Sequence, residues 1–279
     1  MNQTSPATGA PLQLRFWGVR GSVPTPVSRN LRYGGNTPCV EVRITADEVL
    51  IFDAGSGIRA LGAEIAARAH RPRVVHIFFT HFHWDHVQGL PYFAPLYARE
   101  SNLVFHSAHP PEKLRAVLAA QMESPYFPVS FGELAARMDF RQMTAEPERF
   151  GELSVSCFPL HHPQGSVGYR IAHAERSVIY ATDHEHGDAA TDRRLREVSE
   201  NADVLVYDAQ YTPEEYASRQ GWGHSTWLEA TRVAKDAGVN RLVLFHHDPD
   251  RDDEAIDRIV EQACREFPET LAAQEMMQL

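Results

Sequence analysis

The segment from residue 74 to residue 86 places several metal-binding side chains directly after a buried strand. Residues 74–79 are mostly apolar, with β-branched and aromatic side chains, which predicts a strand covered on both faces. The loop that follows contains three histidines and one aspartate: His81, His83, Asp85 and His86. Loops at the carboxyl ends of parallel strands bind ligands in α/β proteins, and imidazoles with a carboxylate suit zinc, iron or manganese rather than calcium. The segment therefore predicts a transition-metal site, with a histidine-rich surface loop as the alternative.

Composition narrows the classes of protein and partner. The chain has 279 residues, of which 43% are hydrophobic, enough for a full core, and its formal net charge of −10 repels polyanions. No run of Lys or Arg offers a basic patch, so long nucleic acid is disfavoured as a partner. Three widely separated cysteines (Cys39, Cys157, Cys264) predict reduced thiols and a cytoplasmic protein. The absence of a signal-peptide pattern and of a long apolar stretch predicts no membrane association.

The order of the predicted elements indicates an α/β fold. Strand-like runs alternate with helical segments along both halves of the chain, and no low-complexity linker separates the halves. This order predicts an αββα sandwich, in which two β-sheets pack face to face with helices outside. We expect a flexible tail over residues 1–11, a single domain over residues 12–267 and a frayed C-terminal tail over residues 268–279.

Several predicted strands end in histidine or aspartate. These strand ends are Asp53, the 81–86 loop, His162, Asp183 and His246. Together they predict that one edge of the sandwich collects metal-binding groups. Asp53 could orient a ligand imidazole by accepting its second N–H, and a turn-forming aspartate is the alternative interpretation of this residue.

The same residues resemble a known family. The His-x-His-x-Asp-His pattern at 81–86 is similar to the motif of the metallo-β-lactamase-fold hydrolases, and the resemblance spans residues 12–265. Four further segments resemble the phosphodiesterase branch of this family: Tyr33 to Thr37, the His162-Pro163 step, Gly223 to Thr226 and Phe245 to Pro249. This branch includes ribonuclease Z, phosphoribosyl cyclic phosphodiesterases and cyclic-nucleotide phosphodiesterases. The resemblance implies the metallo-β-lactamase type of αββα sandwich.

The resemblance also implies two divalent metal ions, zinc or manganese. One ion would be held by His81, His83 and His162. The other would be held by Asp85, His86 and His246, with Asp183 bridging both ions. His161 and His247 stay open as alternatives to His162 and His246. His184 and His186 are expected at the surface near the rim, with contact to substrate as the alternative for either.

The implied chemistry is hydrolysis of a phosphodiester by a metal-bridged hydroxide. Asp85 and Asp183 would take part as metal ligands, and His224 would donate a proton to the leaving oxygen, unless it is only a bystander beside a helix cap. Asp208 could orient a ligand or His224. Asn36 and Thr37 could donate hydrogen bonds to phosphate, although a plain turn explains them equally well.

The predicted substrate is a small phosphodiester, such as a cyclic nucleotide or a ribose cyclic phosphate. A tRNA 3′-end endonuclease is the first alternative, but ribonuclease Z enzymes commonly carry a basic arm between the equivalents of His162 and Asp183, and here only 183 − 162 = 21 positions separate them. A non-phosphate metallo-hydrolase or a metal-bearing sensor is the second alternative.

A homodimer is also predicted, with the aromatic segment 123–131 as a candidate contact. A lid over the site and ordinary packing are the alternative roles for this segment.

Overall fold

Two mixed β-sheets form the centre of the molecule. The computed structural model describes residues 12–43 and 45–279, so the tail predicted for residues 1–11 lies outside the described residues. Sheet 1 has its strands in chain order: β1 (Gln13–Gly18), β2 (Cys39–Arg43), β3 (Glu48–Phe52), β4 (Val74–Phe78), β5 (Asn102–Ser107) and β6 (Arg137–Gln142). The pairs from β1 to β3 are antiparallel, and those from β3 to β6 are parallel.

Sheet 2 is built from the second half of the chain. Its strands are β7 (Glu148–Phe150), β8 (Leu153–Leu160), β9 (Ser166–His173), β10 (Arg176–Ala181), β11 (Val204–Asp208), β12 (Arg241–Phe245) and β13 (Thr270–Ala272), in the spatial order β13-β12-β11-β10-β9-β8-β7. The pairs from β10 to β13 are parallel, so these strands end at the same edge of the sheet.

Helices cover the outer faces of the two sheets. The helices are α1 (Ile58–Ala67), α2 (Trp84–Val87), α3 (Pro111–Ala120), α4 (Ala189–Ser199), α5 (Pro213–Tyr216), α6 (Trp227–Asp236) and α7 (Asp253–Glu266). Asp188, Thr226 and Asp252 cap α4, α6 and α7, because each side chain accepts a hydrogen bond from a backbone N–H of the first turn. None of the described helices is long and apolar enough to cross a membrane.

Three apolar layers hold this arrangement together. One layer packs α1 and α3 against sheet 1, and another packs α4, α6 and α7 against sheet 2. Between the sheets, the rings of Phe52 and Phe78 stack with centroids 4.9 Å apart, and Tyr169 and Tyr180 approach Phe52 from sheet 2. The predicted αββα order of layers is therefore the observed one.

Three residues of the aromatic segment 123–131 pack against the core. Phe131 is buried in the layer outside sheet 1, and Phe127 and Val129 pack against that layer. Tyr126 is exposed. A homodimer through this segment stays a prediction.

The C-terminal tail is ordered, and the prediction that residues 268–279 fray was wrong. Residues 270–272 form β13, the edge strand of sheet 2. Leu279 and Leu14 exchange two backbone hydrogen bonds of 3.0 and 2.9 Å, and the N–H of Met276 donates to the carbonyl of Phe16 at 2.8 Å. The tail thus extends the edge of sheet 1 beside β1, a contact between residues more than 250 positions apart in sequence.

Deletion of residues 275–279 is expected to lower the midpoint of thermal unfolding by on the order of 10 °C, because several backbone hydrogen bonds are lost at roughly 1 kcal/mol each. Burial of the side chains of Met277 and Leu279 is lost as well. Thermal unfolding of purified protein measures the effect. Met276→Ala is the matched control, since the Met276 side chain is exposed and the backbone contacts remain. An unchanged midpoint after the deletion would show that the tail does not stabilise the fold.

Candidate metal centre

The carboxyl ends of strands from both sheets meet at one edge of the sandwich. The residues at or just beyond these ends are Asp53 after β3, the 81–86 loop after β4, His162 after β8, Asp183 after β10, Asp208 at the end of β11 and His246 after β12. The structure brings these side chains into one buried cluster.

Three of the residues at strand ends have a left-handed backbone. The φ angles of Asp53, Asp183 and His246 are 61°, 57° and 61°. Such a conformation costs roughly 1–3 kcal/mol for a residue other than glycine, and it concentrates at functional sites. The turn directs each chain away from its sheet at the point where the side chain joins the cluster.

The first group of candidate ligands consists of His81, His83 and His162. Their imidazole nitrogens lie within 4.8 Å of one another, and Nε2 of His162 is 3.1 Å from Nδ1 of His83. Burial, and next the imidazole of His86, hold the pKa of His81 well below its usual value. His81 is therefore neutral, as a metal ligand has to be.

The second group consists of Asp85, His86, Asp183 and His246, all buried. One oxygen of Asp85 lies 3.3 Å from Nε2 of His86 and 3.2 Å from Nε2 of His246. Burial alone would raise the pKa of Asp85, but the neighbouring imidazoles of His86 and His246 outweigh it and hold this pKa well below the usual range. Asp85 is thus an ionised carboxylate.

Asp183 lies between the two groups. Its Oδ1 is 3.8 Å from Nε2 of both His81 and His162, in the first group. Its Oδ2 is 3.1 Å from Nε2 of His86 and 3.4 Å from Nε2 of His246, in the second group. One carboxylate therefore presents one oxygen to each group.

The cluster has the properties of a cation site. The Nε2 atoms of His81 and His86 are buried and lack a hydrogen-bond partner among the described residues, and orphaned buried nitrogens of this kind are costly unless they bind something. The buried carboxylates of Asp85 and Asp183 face imidazoles, and no ion pair with Lys or Arg reaches them within residues 12–43 and 45–279. Divalent cations would satisfy both the nitrogens and the carboxylates.

Hydrogen bonds orient the candidate ligands from behind. Nδ1 of His86 lies 2.9 Å from Oδ2 of Asp53, which also accepts a hydrogen bond from the hydroxyl of Tyr180, and Oδ1 of Asp53 accepts the backbone N–H of Thr80. Asp53 thus lies within hydrogen-bonding distance of the ring of His86, and its role in orienting that ring stays a prediction. Nδ1 of His246 donates to Oε1 of Gln210 at 2.9 Å. Each contact uses Nδ1, so Nε2 is the nitrogen that faces the second group of candidate ligands.

His224 lies beside the second group. Its Nδ1 donates to Oδ2 of Asp208 at 2.8 Å, and its ring stacks on that of His246 with centroids 4.9 Å apart. Burial lowers the pKa of His224, but the carboxylates of Asp208, Asp183 and Asp85 outweigh burial and raise it to about 9. Asp208 also accepts the backbone N–H of Asp183, so its carboxylate links the ring of His224 to the backbone of Asp183.

In each pair of adjacent histidines, 161–162 and 246–247, only one residue lies in the cluster. His161 is exposed and its ring contacts the carbonyl of Glu185, whereas the neighbouring His162 is buried in the first group. Nε2 of His247 donates to the carbonyl of Ala273, away from the cluster. The prediction that His184 lies at the surface was wrong. Its ring is buried, with Nε2 donating to Asp192 and Nδ1 accepting the N–H of His161.

Asn36 and Thr37 have structural contacts rather than free donors. The backbone and side-chain amides of Asn36 donate to Glu275 at 2.6 and 3.1 Å. Thr37 is fully buried, and its hydroxyl accepts hydrogen bonds from the N–H of Ser56 and from the side chain of Gln88. Both residues therefore hold the loop before α1, and their donors are used within the protein rather than left for a phosphate.

Sequence reasoning missed several side chains around the cluster. The backbone N–H of Ser22 donates to Oδ2 of Asp85 at 2.8 Å, and Gln210 orients His246. Two tryptophans beside functional residues are largely exposed: Trp84, between His83 and Asp85, at 67%, and Trp222, two residues before His224, at 62%. The positions of both tryptophans next to candidate site residues were visible in the sequence, whereas their exposure was not.

The family follows from a direct comparison. A family model for the beta-lactamase superfamily domain matches residues 49–247. The chain belongs to the beta-lactamase superfamily. The matched range includes every residue of the two candidate ligand groups. The prediction of a metallo-β-lactamase-fold hydrolase of the phosphodiesterase branch is confirmed, and with it the prediction of a metal-dependent hydrolase.

This chain aligns over nearly its whole length with related proteins and solved structures. It is 25% identical to the ribonuclease Z of Thermoplasma acidophilum, over 96% of this chain and 95% of that protein. The metallo-beta-lactamase fold protein YhfI from Bacillus subtilis superposes with a TM-score of 0.72 at 18% identity, covering 96% of this chain and 98% of that one. A diphosphatase from the PhnP family superposes with a TM-score of 0.70 at 18% identity, covering 96% and 97%. The metallo-β-lactamase type of sandwich is thereby confirmed.

Proposed function

We propose that this hydrolase cleaves small phosphodiesters, such as cyclic nucleotides or ribose cyclic phosphates, with two divalent cations and with His224 as the general acid. The observation that carries the proposal is the position of His224. A buried imidazole held by Asp208 at 2.8 Å, next to two groups of candidate ligands, is placed to protonate a leaving oxygen.

The roles of the side chains follow from their contacts. We assign one ion to His81, His83 and His162 and the other to Asp85, His86 and His246, with Asp183 contacting both. Zinc is our first choice and manganese the second, because sites of histidine and carboxylate accept either. The chemistry that two such cations supply when bound is a lowered pKa of water and neutralisation of charge on phosphate oxygens. Asp53 and Gln210 hold the rings of His86 and His246 for this task.

A proton donor matters because an alkoxide is a poor leaving group. Protonation of the leaving oxygen as the P–O bond breaks contributes on the order of 10²–10⁴ in rate. Asp208 keeps Nδ1 of His224 protonated, so the proton available for the leaving oxygen is on Nε2. His224 is 8% exposed, so a small part of its surface is open to solvent.

Three features favour a small substrate. The residues between His162 and Asp183 form the β9–β10 hairpin, so this segment supplies no projecting arm to grip a long nucleic acid. The net charge of −10 adds an unfavourable long-range field for polyanions. The exposed indoles of Trp84 and Trp222 offer apolar faces to a nucleobase or a similar ring.

Cleavage of precursor tRNA is the second candidate function. It is favoured by the similarity to ribonuclease Z proteins along nearly the full length of both chains. Bound cations and a partner would have to offset the acidic surface for this chain to bind tRNA.

A turnover panel tests the proposal. Zinc-loaded and manganese-loaded protein would be assayed on 3′,5′-cyclic nucleotides, 2′,3′-cyclic nucleotides, a ribose cyclic phosphate, a precursor tRNA and a β-lactam. We expect turnover of at least one small phosphodiester and no hydrolysis of the β-lactam.

The outcomes separate the candidates. Cleavage of precursor tRNA with no turnover of small phosphodiesters would favour the endonuclease. Activity on the β-lactam alone, or on none of the substrates despite two bound ions, would refute the phosphodiesterase proposal.

A further inference from the structure

A single buried carboxylate binds the loop that precedes His224. Oε1 of Glu185 accepts hydrogen bonds from the backbone N–H of Gly221 at 2.6 Å and from the hydroxyl of Tyr216 at 3.0 Å, and Oε2 accepts the backbone N–H of Gly223 at 2.7 Å. The two oxygens of the Glu185 carboxylate thus accept hydrogen bonds from three donors.

The bound loop contacts the first ligand group. The carbonyl of Gly223 accepts the Nδ1 proton of His162 at 2.7 Å, which fixes the tautomer of this imidazole and turns Nε2 toward His83. Gly223 has a φ of 91°, and a Cβ at this position would lie 2.3 Å from Nδ1 of His162. The residue that follows is His224. The position of Gly223 thus determines both the orientation of His162, a candidate ligand, and the location of His224, the candidate acid.

Glu185 also joins this loop to the other ligand-bearing loops through its backbone. Its N–H donates to the carbonyl of His161 at 2.7 Å, and its carbonyl contacts Nδ1 of His161 at 3.1 Å. Asp183 lies two residues earlier in the same turn. Glu185 therefore connects three segments that each carry a functional residue: 161–162, 183–185 and 221–224.

We infer that Glu185 is a positioning residue, which holds His162 in its ligand orientation and His224 in reach of the leaving group through the Gly223 peptide. It touches neither of the candidate ligand groups directly. A carboxylate is required because both oxygens face hydrogen-bond donors. An ionised carboxylate can only accept, so it presents no donor of its own to these groups. The inference rests on the proposed metal centre and on the proposed role of His224.

Glu185→Gln is the sharpest test. The amide keeps the shape, and its oxygen is expected to face Gly221 and Tyr216, where two donors converge, so that its NH₂ group opposes the N–H of Gly223. We expect affinity for one of two zinc ions to fall about 10–100-fold, as is typical when a residue supporting a metal ligand is lost. The second ion should bind as in the wild type, and kcat for an alkoxide-leaving phosphodiester should fall while KM changes less. Chelator competition, with zinc as the probe, measures both affinities without reference to activity.

Two control variants separate positioning from general stability. Glu41→Gln changes a buried glutamate of β2 that accepts hydrogen bonds from Trp17 and Arg68, and should leave both zinc affinities unchanged. Tyr216→Phe removes one donor to Glu185 while keeping both glycine contacts, and should also retain both ions. Thermal unfolding of the metal-free proteins checks that all three variants fold.

The inference fails if Glu185→Gln binds both ions with wild-type affinity and turns over at the wild-type rate. It also fails if both ions weaken equally, or if Tyr216→Phe reproduces the loss. A wild-type protein that binds no zinc would instead refute the proposed metal centre itself.

Discussion

Asp183→Ala is expected to abolish phosphodiester hydrolysis and to leave the protein with fewer than two tightly bound metal ions. Asp183 is the only residue of the cluster, among those described, whose two oxygens face different ligand groups, at 3.8 Å from His81 and 3.1 Å from His86. Alanine would leave both groups short of a negative ligand in a buried site. We expect a rate loss greater than about 10³-fold, the upper end of what one electrostatic group contributes.

Metal content and turnover should be measured on the same preparation. Asp203→Ala is the matched control, because Asp203 accepts the backbone N–H of Ser177 in sheet 2 and lies outside the candidate groups. It should lower stability and keep both ions. If Asp183→Ala retained two ions and wild-type turnover, the bridging assignment would be wrong.

The parts of this site that could be predicted from the sequence are those in which a metal-binding residue type stands at the end of a strand that is itself recognisable from the sequence. The 81–86 loop carries its ligands within six positions, behind a strand that is recognisable from its apolar run. Asp183, Asp208 and His246 each follow an apolar strand of the parallel part of sheet 2, so their meeting at one edge follows from the topology of parallel strands.

The parts that escaped prediction depend on contacts between distant segments. No local pattern indicates that Leu279 pairs with Leu14, and a tail without a strand signal of its own is easily interpreted as frayed. Thr37 precedes a strand in a glycine-rich loop, a setting typical of phosphate contacts. Its hydroxyl is nevertheless used by Ser56 and Gln88, and only the folded chain shows that.

Backbone conformation and backbone donors are a second class of missed features. The left-handed turns at Asp53, Asp183 and His246 are imposed by the surrounding fold, since only glycine adopts them without cost. Ser22 contributes through its N–H and Gly223 through its carbonyl, so residue type carries no signal for either role. The function of Glu185 follows from such backbone groups and is invisible until the loops are placed.

His224→Ala is expected to reduce kcat by about 10²–10⁴-fold on a phosphodiester with an alkoxide leaving group, because that oxygen would depart without a proton. The same variant should lose less than about tenfold on a bis(p-nitrophenyl) phosphate substrate, whose leaving group is stable as an anion. Both metal ions should stay bound, since His224 is outside the groups assigned to them, although its ring stacks on His246.

The dependence on leaving group distinguishes an acid from a structural histidine. A general disturbance of the site would lower turnover of both substrates by the same factor, whereas loss of a proton donor affects only the poor leaving group. His109→Ala is the matched control, because this histidine stacks on Phe82 within the ligand loop and belongs to none of the candidate groups. Full activity of His224→Ala on the alkoxide substrate would contradict the role as acid. Equal losses on both substrates, with one ion missing, would instead make His224 a metal ligand alongside Asp183, Asp208 and His246, whose ligand atoms lie within 4.8 Å of one another and of its own.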